Sequence, residues 1–499
     1  MTQGSTPHGD ILQEPRWRPE DLGKPLPPSL HANSVCLPTW NDVVGYEEKD
    51  PRVISRLQTG YPRFFLHPLT RQFFGECEKR FAGDDEHCRA YPTRAAAERS
   101  LDSILRWSGH RGRIERWSDQ GPFVACFPEA AEDAARKHWC HAGEGISSRR
   151  AEALLQGAAE QDGSEAKQVI RERIAALVGT PVDCVYLFSS GMGAIYTIYR
   201  CATQRFPQRN SVQFGFPYVD TLKIQQQMGG GANFFPRGDD QDLRALTNLA
   251  RSRPLSAIFC EFPSNPLLVS PDLTSLARIA QRQEIPLVVD ETLGNYINVD
   301  LLPVADVLTT SLTKYFTGAG DVMGGAVIVN PHGRSASHLR DTLDRIYEET
   351  LWGDDAIRIA RYSADFPERM EQINRTAERI CDFCRAHPAI EEVYYPQYRT
   401  PRMYESFKRP GGGYGGLFSI LFRNAPQNAP RFYDAVRICK GPNLGTYFSL
   451  CCPFTLLAHY DELDFVERCG VNRHLLRFSV GLEEPQDLLD RLSAALDGL

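Results

Sequence analysis

The chain has 499 residues, of which 42% are hydrophobic and 24% charged, a balance typical of a folded globular protein. Its formal net charge of -7 is mild and gives no support to a nucleic-acid or anionic-membrane surface, since either would need a clustered cationic face. This length allows roughly two or three domains with a substantial buried core.

The 14 cysteines are spaced irregularly and do not resemble a disulfide framework. Cys381 and Cys384 form a lone CxxC without a second pair at zinc spacing, so we expect no metal site. The N-terminal segment lacks the apolar core of a secretory signal, and no stretch approaches the roughly 20 apolar residues of a membrane span. We therefore expect reduced thiols, a cytoplasmic location and no membrane association.

The first region, residues 1–150, reads as an N-terminal arm followed by a helical extension. Residues 1–50 are rich in proline and polar residues, which predicts an extended arm with little helix. Helical periodicity then dominates from about 59 to 107 and returns from about 149 to 178.

The second region, residues 151–340, has the sequence pattern of an α/β domain. Short apolar runs alternate with helical patterns: VYLF, SVQFGF, LSAIFCEF, PLVVD, VLTTSL and GGAVIVN. Such runs predict a mostly parallel sheet covered on both faces by helices. In the third region, 341–499, we expect connecting helices and a smaller C-terminal α+β domain with strands at LFSILF and LLRFSVGL.

An acid and a lysine follow neighbouring apolar strands of the predicted sheet. Asp290 ends one strand and Lys314 follows the next, so both are expected at the edge where α/β proteins bind ligands. Pyridoxal phosphate (PLP) needs such a pair, because a lysine amine forms an imine with its aldehyde and a carboxylate keeps its pyridine nitrogen protonated. Ser311 and Thr313 alternate with the sheet period, which would place both hydroxyls on the phosphate side. Taken alone, these residues are equally consistent with Lys314 as a surface lysine at a strand end and Asp290 as a helix N-cap.

A strand that runs into SSGMGA, residues 189–194, predicts an anion site at the start of a helix. Backbone N–H groups at a glycine-containing helix N-terminus suit a phosphate, although many strand–turn–helix units contain such glycines. Tyr218 follows the next strand and could stack on a planar ring, or be an ordinary partly buried tyrosine.

Six motifs occur in a fixed order: SSGMGAI, CEFPSNP, VVDET, SLTKYFTGAGDVMGGAVI, GYGGLFSI and LLRFSVGLE. Together they resemble the Cys/Met-metabolism family of PLP enzymes, which includes cystathionine γ-synthases and cystathionine lyases, over about 180–499. Upstream, HANSVCLPTWNDVVGYEEKDP, TGYPRFFLHPL and HAGEGISSRRAE resemble the fungal-type cystathionine γ-synthase branch. The resemblance implies the PLP-dependent transferase fold of type I, with a large PLP-binding domain and a smaller C-terminal domain.

The resemblance also implies roles for individual residues. Lys314 would be the Schiff-base lysine and catalytic base, Asp290 the pyridinium partner, and Tyr218 the stacking aromatic with a catalytic role. The phosphate would be held by Gly191, Met192, Ser311 and Thr313. Asn265 would lie near the ring hydroxyl, and Arg477 would bind the substrate α-carboxylate, for which a planar guanidinium is suited.

Two features depart from the family pattern. The family has a Tyr-x-Arg segment that reaches the phosphate of a neighbouring subunit, and two segments here compete for that role. Tyr61 and Arg63 have the right residue types but lie far upstream, whereas Arg149 has more normal spacing without the tyrosine; we favour the first and keep Arg149 as a second phosphate contact. Asn443, which with Arg477 is expected to bind the substrate, stands where the family often has the serine of Ser-Leu-Gly, and this leaves substrate orientation and reaction type open.

The resemblance favours γ-replacement on an O-acyl-L-homoserine, with cysteine as nucleophile and cystathionine as product. A carbon nucleophile, a cystathionine β- or γ-lyase that needs no second substrate, and a non-catalytic regulatory partner remain alternatives. The presence of Lys314, Asp290 and Arg477 argues against the last. Since active sites of the family form between subunits, the resemblance implies a homodimer or homotetramer that acts on small amino-acid substrates.

Overall fold

The computed structural model describes residues 10–119 and 121–499. The N-terminal region contains helices and small antiparallel sheets. Its helices are α1 (Trp40–Glu47), α2 (Pro51–Ile54), α3 (Pro68–Phe81), α4 (Arg94–Ser108), α5 (Glu132–Ala142) and α6 (Ser148–Gln156). Its strands are β1 (Pro25–Leu26), β2 (Ser34–Val35), β3 (Glu86–Tyr91), β4 (Arg113–Arg116) and β5 (Phe123–Pro128). Short 3-10 helices along the chain cover Pro19–Asp21, Glu129–Ala131, Val182–Cys184 and Tyr460–Glu462.

The sequence patterns did not reveal the sheet of this region, whose strand order is β3-β5-β4. The helical pattern between 59 and 107 is interrupted by β3, which carries charged residues and so lacks an apolar run. Arg89 in β3 is buried but forms an ion pair with Glu132, which allows a charged side chain inside the sheet. The arm also contains α1, which begins with a capping box between Thr39 and Asp42.

A seven-stranded sheet lies at the centre of the described chain, in the order β6-β12-β11-β10-β9-β7-β8. Its strands are β6 (Val185–Phe188), β7 (Ser211–Phe214), β8 (Ala232–Phe235), β9 (Ile258–Glu261), β10 (Leu287–Asp290), β11 (Val307–Ser311) and β12 (Gly325–Val329). The helices of this region are α7 (Ser164–Val178), α8 (Gly191–Gln204), α9 (Val219–Gln227), α10 (Asp240–Ser252), α11 (Leu273–Gln283), α12 (Asn295–Asn298) and α13 (Ala336–Ile346). The strands from β8 to β11 pair in parallel, and β12 is antiparallel to both of its neighbours, which confirms the predicted α/β class.

The C-terminal region adds a five-stranded, mostly antiparallel sheet in the order β13-β14-β17-β16-β15. Its strands are β13 (Ile390–Tyr394), β14 (Leu417–Phe422), β15 (Cys439–Lys440), β16 (Leu450–Pro453) and β17 (Leu476–Ser479). The helices are α14 (Gly353–Tyr362), α15 (Phe366–Ala386), α16 (Pro396–Arg399), α17 (Pro401–Glu405), α18 (Ala425–Ala435), α19 (Phe454–His459), α20 (Leu463–Arg468) and α21 (Pro485–Leu496).

Two contacts of the N-terminal arm bring the regions together around one edge of the large sheet. The Asn33 N–H donates to the Gly320 carbonyl at 2.8 Å, and the Leu37 N–H donates to the Lys440 carbonyl at 2.9 Å. The arm is therefore bonded both to the loop that follows Lys314 and to the C-terminal sheet. Among the helices of the described residues, none combines the length and apolar character that a bilayer crossing requires.

Candidate active site

Two carboxylates lie side by side at the carboxyl edge of the large sheet. β10 ends at Asp290 and β9 at Glu261, and these residues are partners in the parallel register. Glu261 accepts the main-chain N–H groups of Tyr218 (2.5 Å) and Asn265 (3.0 Å), while Asp290 accepts that of Thr292 (2.9 Å). Burial and the Asp290 charge raise the pKa of Glu261 to about 8, and burial raises the pKa of Asp290. Since neither forms an ion pair within the described ranges, the pair favours the approach of a cation.

Lys314 lies just beyond the end of β11, at the same edge of the sheet. Its Nζ donates to Oδ1 of Asn443 at 2.5 Å and lies 4.5 Å from the centre of the Tyr61 ring. Burial lowers the pKa of the Lys314 amine; Tyr61 opposes that shift and the charge of Arg477 adds to it. The amine is therefore easier to deprotonate than an exposed lysine, which suits both imine formation and proton transfer.

Tyr218 is held in place by Arg63, which the sequence motif had identified. The Arg63 guanidinium donates to the Tyr218 hydroxyl and the Cys140 carbonyl, and pairs with Asp220 at 2.5 Å. Asp220 is also bonded to Nδ1 of His141 at 2.7 Å. Within one chain Arg63 thus supports the tyrosine, and three of its five N–H donors are used.

The start of α8 forms a cradle with free main-chain donors for an anion. Ser190 caps the helix by accepting the Gly193 N–H at 3.0 Å, which leaves the N–H groups of Gly191 and Met192 in the open first turn. A Cβ at Gly191 would lie 2.8 Å from that of Ser311, so glycine is what allows this turn to approach β11. The buried Ser189 hydroxyl has no partner among the described residues, which fits a phosphate-binding turn.

Thr313 lies outside the strand that carries Ser311, and its predicted contact with a phosphate stays a prediction. The strand ends at Ser311, so Thr313 lies in the following turn and the alternation of a strand does not apply to it. Its hydroxyl accepts the Gly324 N–H at 3.1 Å and lies 3.3 Å from the carbonyl of the same residue. Thr313 therefore fixes the glycine-rich loop, and the Ser311 hydroxyl faces the cradle.

Arg477 on β17 is a buried cation whose partners are neutral. Nη1 donates to Oδ1 of Asn265 and Nη2 to the main-chain carbonyl of Asn443, both at 3.0 Å. The guanidinium also lies 4.6 Å from the centre of the Phe454 ring. No carboxylate pairs with it in the described chain, so its charge is available for an anionic ligand.

The two competing N-terminal segments take different positions. Tyr61 and Arg63 lie beside Lys314 and Tyr218 of their own chain, whereas the family pattern implies an approach from a neighbouring subunit. Arg149 pairs with Asp355 at 2.6 Å and donates to the Asp321 carbonyl at 3.0 Å. No contact of the described residues joins Arg149 to Lys314.

Sequence reasoning did not assign roles to Glu261 and Asp220. Glu261 ends an apolar strand as Asp290 does, so the same strand-end argument would have found it. Asp220 gave no comparable signal, because its partner Arg63 is 157 residues away in the chain.

The side chains at this edge fit PLP. A protonated pyridine nitrogen would supply the cation that Asp290 and Glu261 lack, and the α8 cradle has open donors for a phosphate. Lys314 and Tyr218 add an amine for the aldehyde and a ring face for stacking. The arrangement therefore defines the class of PLP-dependent enzymes.

Comparison with known proteins agrees with this class. The family model described as "Cys/Met metabolism PLP-dependent enzyme" matches residues 161–497, and that of the "Fungal trans-sulfuration enzyme, N-terminal domain" matches 69–147. Cystathionine gamma-synthase of Neurospora crassa is 34% identical over 96% of this chain and 98% of its own length. The cystathionine gamma-synthase-like protein ankD of Aspergillus thermomutatus is 36% identical over 96% and 94%. The crystal structure of metB from Corynebacterium glutamicum superposes with a TM-score of 0.58 at 25% identity, over 66% of this chain and 85% of that one.

The chain thus belongs to the Cys/Met-metabolism family of PLP-dependent enzymes. Its resemblance to the fungal-type branch is confirmed by the match to the fungal trans-sulfuration N-terminal domain. That N-terminal match covers the three-stranded sheet that sequence patterns had not revealed.

Proposed function

We propose that the protein catalyses γ-replacement on an O-acyl-L-homoserine with L-cysteine as the nucleophile, giving L-cystathionine. Family membership supports this assignment, as do the names of the two relatives given above, a cystathionine gamma-synthase and a cystathionine gamma-synthase-like protein. The observation that carries the proposal is the position of the Lys314 amine. It lies against Asn443, whose main-chain carbonyl is bonded to the buried cation of Arg477, so a base and a carboxylate site are adjacent.

Apart from Arg149, the residues identified from the sequence are proposed to hold PLP. Lys314 would bind the aldehyde, Asp290 the pyridine nitrogen and Asn265 the ring hydroxyl, with Tyr218 on the ring face. The first turn of α8 would bind the phosphate: Gly191, Met192 and the neighbouring Ser189 and Ser311. Bound PLP supplies an electron sink that acidifies the Cα–H and then the Cβ–H of an amino-acid substrate.

The protein side chains would then orient the substrate and move protons. Arg477 binds the α-carboxylate, which places Cα close to the Lys314 amine. Lys314 accepts the Cα proton and returns it at the end of the cycle. Although burial favours the neutral phenol, the charges of Lys314 and Arg63 lower the pKa of Tyr61, so Tyr61 can exchange a proton with the lysine. In the net reaction the Cγ–O bond breaks, a Cγ–S bond forms, and the thiol proton leaves with the released carboxylic acid.

A product analysis tests the proposal. The PLP-loaded protein is incubated with O-acetyl-L-homoserine and L-cysteine, and the products are followed by mass spectrometry. We expect cystathionine and acetate from the wild type, none from Lys314→Ala, and wild-type amounts from the control Lys79→Ala, whose exposed lysine pairs with Glu76. Keto acid and ammonia from cystathionine alone would instead identify a lyase. Unchanged turnover in Lys314→Ala would refute the catalytic assignment.

γ-Substitution by a carbon nucleophile is the second candidate. Asn443 in place of the serine often found in the family is the reason to consider it, because the residue touches the catalytic lysine. A relative named L-2-amino-4-chloropent-4-enoate dechlorinase/desaturase is 31% identical over 95% of this chain, so similar chains carry different reactions. Acetate release without cystathionine would favour this candidate.

We further propose a homo-oligomer in the cytoplasm. Leu30 and Phe64 are 58% and 50% exposed, and Phe64 directly follows Arg63, so apolar surface lies next to the site. The cysteines of the described chain are free thiols, which suits a reducing compartment. Sedimentation of the PLP-loaded protein should give a dimer or tetramer, and a fully active monomer would contradict the proposal.

A further inference from the structure

Asn443 lies between the catalytic lysine and the buried arginine. Oδ1 accepts a hydrogen bond from Nζ of Lys314 at 2.5 Å, and the main-chain carbonyl accepts one from Nη2 of Arg477 at 3.0 Å. The residue is 6% exposed and has a φ of 112°, in the left-handed region that non-glycine residues rarely adopt. A backbone held in this conformation requires close packing around it, and such positions concentrate at functional sites.

The packing that fixes Asn443 is visible at Gly445. A Cβ at Gly445 would lie 2.6 Å from the main-chain nitrogen of Tyr315 and 3.0 Å from Cβ of Lys314, so this turn is in close contact with the lysine segment. The Gly445 N–H also donates to Oγ of Ser479 at 2.7 Å, which bonds the turn to β17. The Asn443 carboxamide is therefore held at a fixed distance from both Lys314 and Arg477.

The two ends of the Asn443 carboxamide differ in their hydrogen bonding. Nδ2 of Asn443 is buried and makes no hydrogen bond with any described residue. Its orientation follows from the lysine, because a charged ammonium has only donors and must face Oδ1, which turns Nδ2 away. A buried donor without an acceptor is costly, so the position favours a ligand that brings an acceptor oxygen.

The adjacent arginine indicates which oxygen this is. Arg477 has neutral partners in Asn265 and Asn443, and a carboxylate bound to it would lie beside the Asn443 side chain. We propose that Nδ2 of Asn443 donates to the α-carboxylate of the amino-acid substrate while Oδ1 holds the Lys314 amine. One carboxamide thus sets the position of the base relative to the substrate Cα–H. The inference rests on the proposed function only in taking an α-amino acid as substrate.

Two substitutions separate the contact of Asn443 with the Lys314 amine from its proposed hydrogen bond to the substrate carboxylate. Asn443→Asp keeps an acceptor for Lys314 but replaces the donor with a charge that repels a carboxylate, and aspartate tolerates a positive φ nearly as well as asparagine. Asn443→Gly removes both groups and relaxes the backbone. Each PLP-loaded variant is titrated with L-2-aminobutyrate, which has no γ-leaving group, and with n-propylamine, which has no carboxylate; binding is followed through the cofactor absorbance.

For L-2-aminobutyrate we expect the Kd to rise about 10- to 100-fold in Asn443→Gly and more in Asn443→Asp, as loss of a charge-assisted hydrogen bond predicts. The Kd of n-propylamine should change less than about threefold in Asn443→Asp. An equal loss for both amines, or wild-type affinity for L-2-aminobutyrate in Asn443→Asp, would overturn the proposal. Because neither ligand has a γ-leaving group, the outcome does not depend on which acyl group or nucleophile the enzyme uses.

A second readout concerns the lysine in the cofactor-free protein. The pH dependence of Lys314 acetylation by acetic anhydride, measured by peptide mass spectrometry, reports the pKa of its amine. An acceptor stabilises the ammonium form, so this pKa should fall in Asn443→Gly and rise in Asn443→Asp. No change in either variant would show that Asn443 does not position the lysine.

Discussion

The buried ion pair between Arg63 and Asp220 supports Tyr218, and its contribution to the free energy of unfolding can be tested by substitution. The two side chains are 4% and 1% exposed and their charged atoms are 2.5 Å apart. Removal of one partner from a buried pair leaves an uncompensated charge and costs about 3–5 kcal/mol. Since Asp220 keeps its hydrogen bond to His141, we expect Arg63→Met to cost about 3 kcal/mol of unfolding free energy and Asp220→Asn a similar amount.

The double variant distinguishes an ion pair from two independent residues. Arg63→Met/Asp220→Asn removes both charges together, so its cost should be at least about 1 kcal/mol below the sum of the single variants. Urea unfolding of the PLP-loaded protein, followed by tryptophan fluorescence, measures all three. The exposed pair Arg375–Glu371 is the control, and Arg375→Met should cost no more than about 0.5 kcal/mol. Strictly additive costs at Arg63 and Asp220 would refute the reasoning.

Three further predictions concern the proposed site. Lys314→Ala should bind PLP without forming a borohydride-reducible bond, measured by mass spectrometry of the reduced protein. Arg477→Lys should raise the KM for the amino-acid substrate at least about tenfold with a smaller change in kcat, since an ammonium cannot bind a carboxylate in bidentate fashion. Burial raises the pKa of Glu261 from 4.5 to about 8, so the folded cofactor-free protein retains a proton that the unfolded chain has lost. Its Tm should therefore fall as pH rises from 5 to 8, and Glu261→Gln should flatten this slope.

The central fold was predictable because its strands are continuous apolar runs bounded by turns. β10 and β11 read directly as LVVD and VLTTS, and the parallel order followed from the helices between them. The sheet formed by β3, β4 and β5 was not predictable in the same way. The burial of Arg89 in this sheet depends on its ion pair with Glu132. The pattern of apolar and polar residues along the sequence cannot show that the two residues form a pair.

In the candidate site, as in the fold, local sequence patterns predict some features and miss others. Lys314 and Asp290 were found because strand ends in an α/β sheet meet at one edge, which is a local rule with a fixed geometric consequence. The strand-alternation argument does not extend to Thr313, because β11 ends two residues earlier and strand ends are the least certain part of any pattern; its contact with a phosphate stays a prediction. The contact between Asn443 and Lys314 spans 129 residues, so only the folded chain reveals it.

The residues around the Lys314 amine come from three separate regions of the chain. Tyr61 comes from the N-terminal region, Lys314 from the large sheet and Asn443 from the C-terminal region, yet all three meet around one amine. The arm connects these regions, because Asn33 bonds to the Gly320 carbonyl and Leu37 to the Lys440 carbonyl. Gly320 follows Lys314 and Lys440 precedes Asn443, so the arm fixes the segments on both sides of the lysine–asparagine contact. The position of the catalytic amine is therefore a property of the whole chain, and the N-terminal arm is part of the structure that sets it.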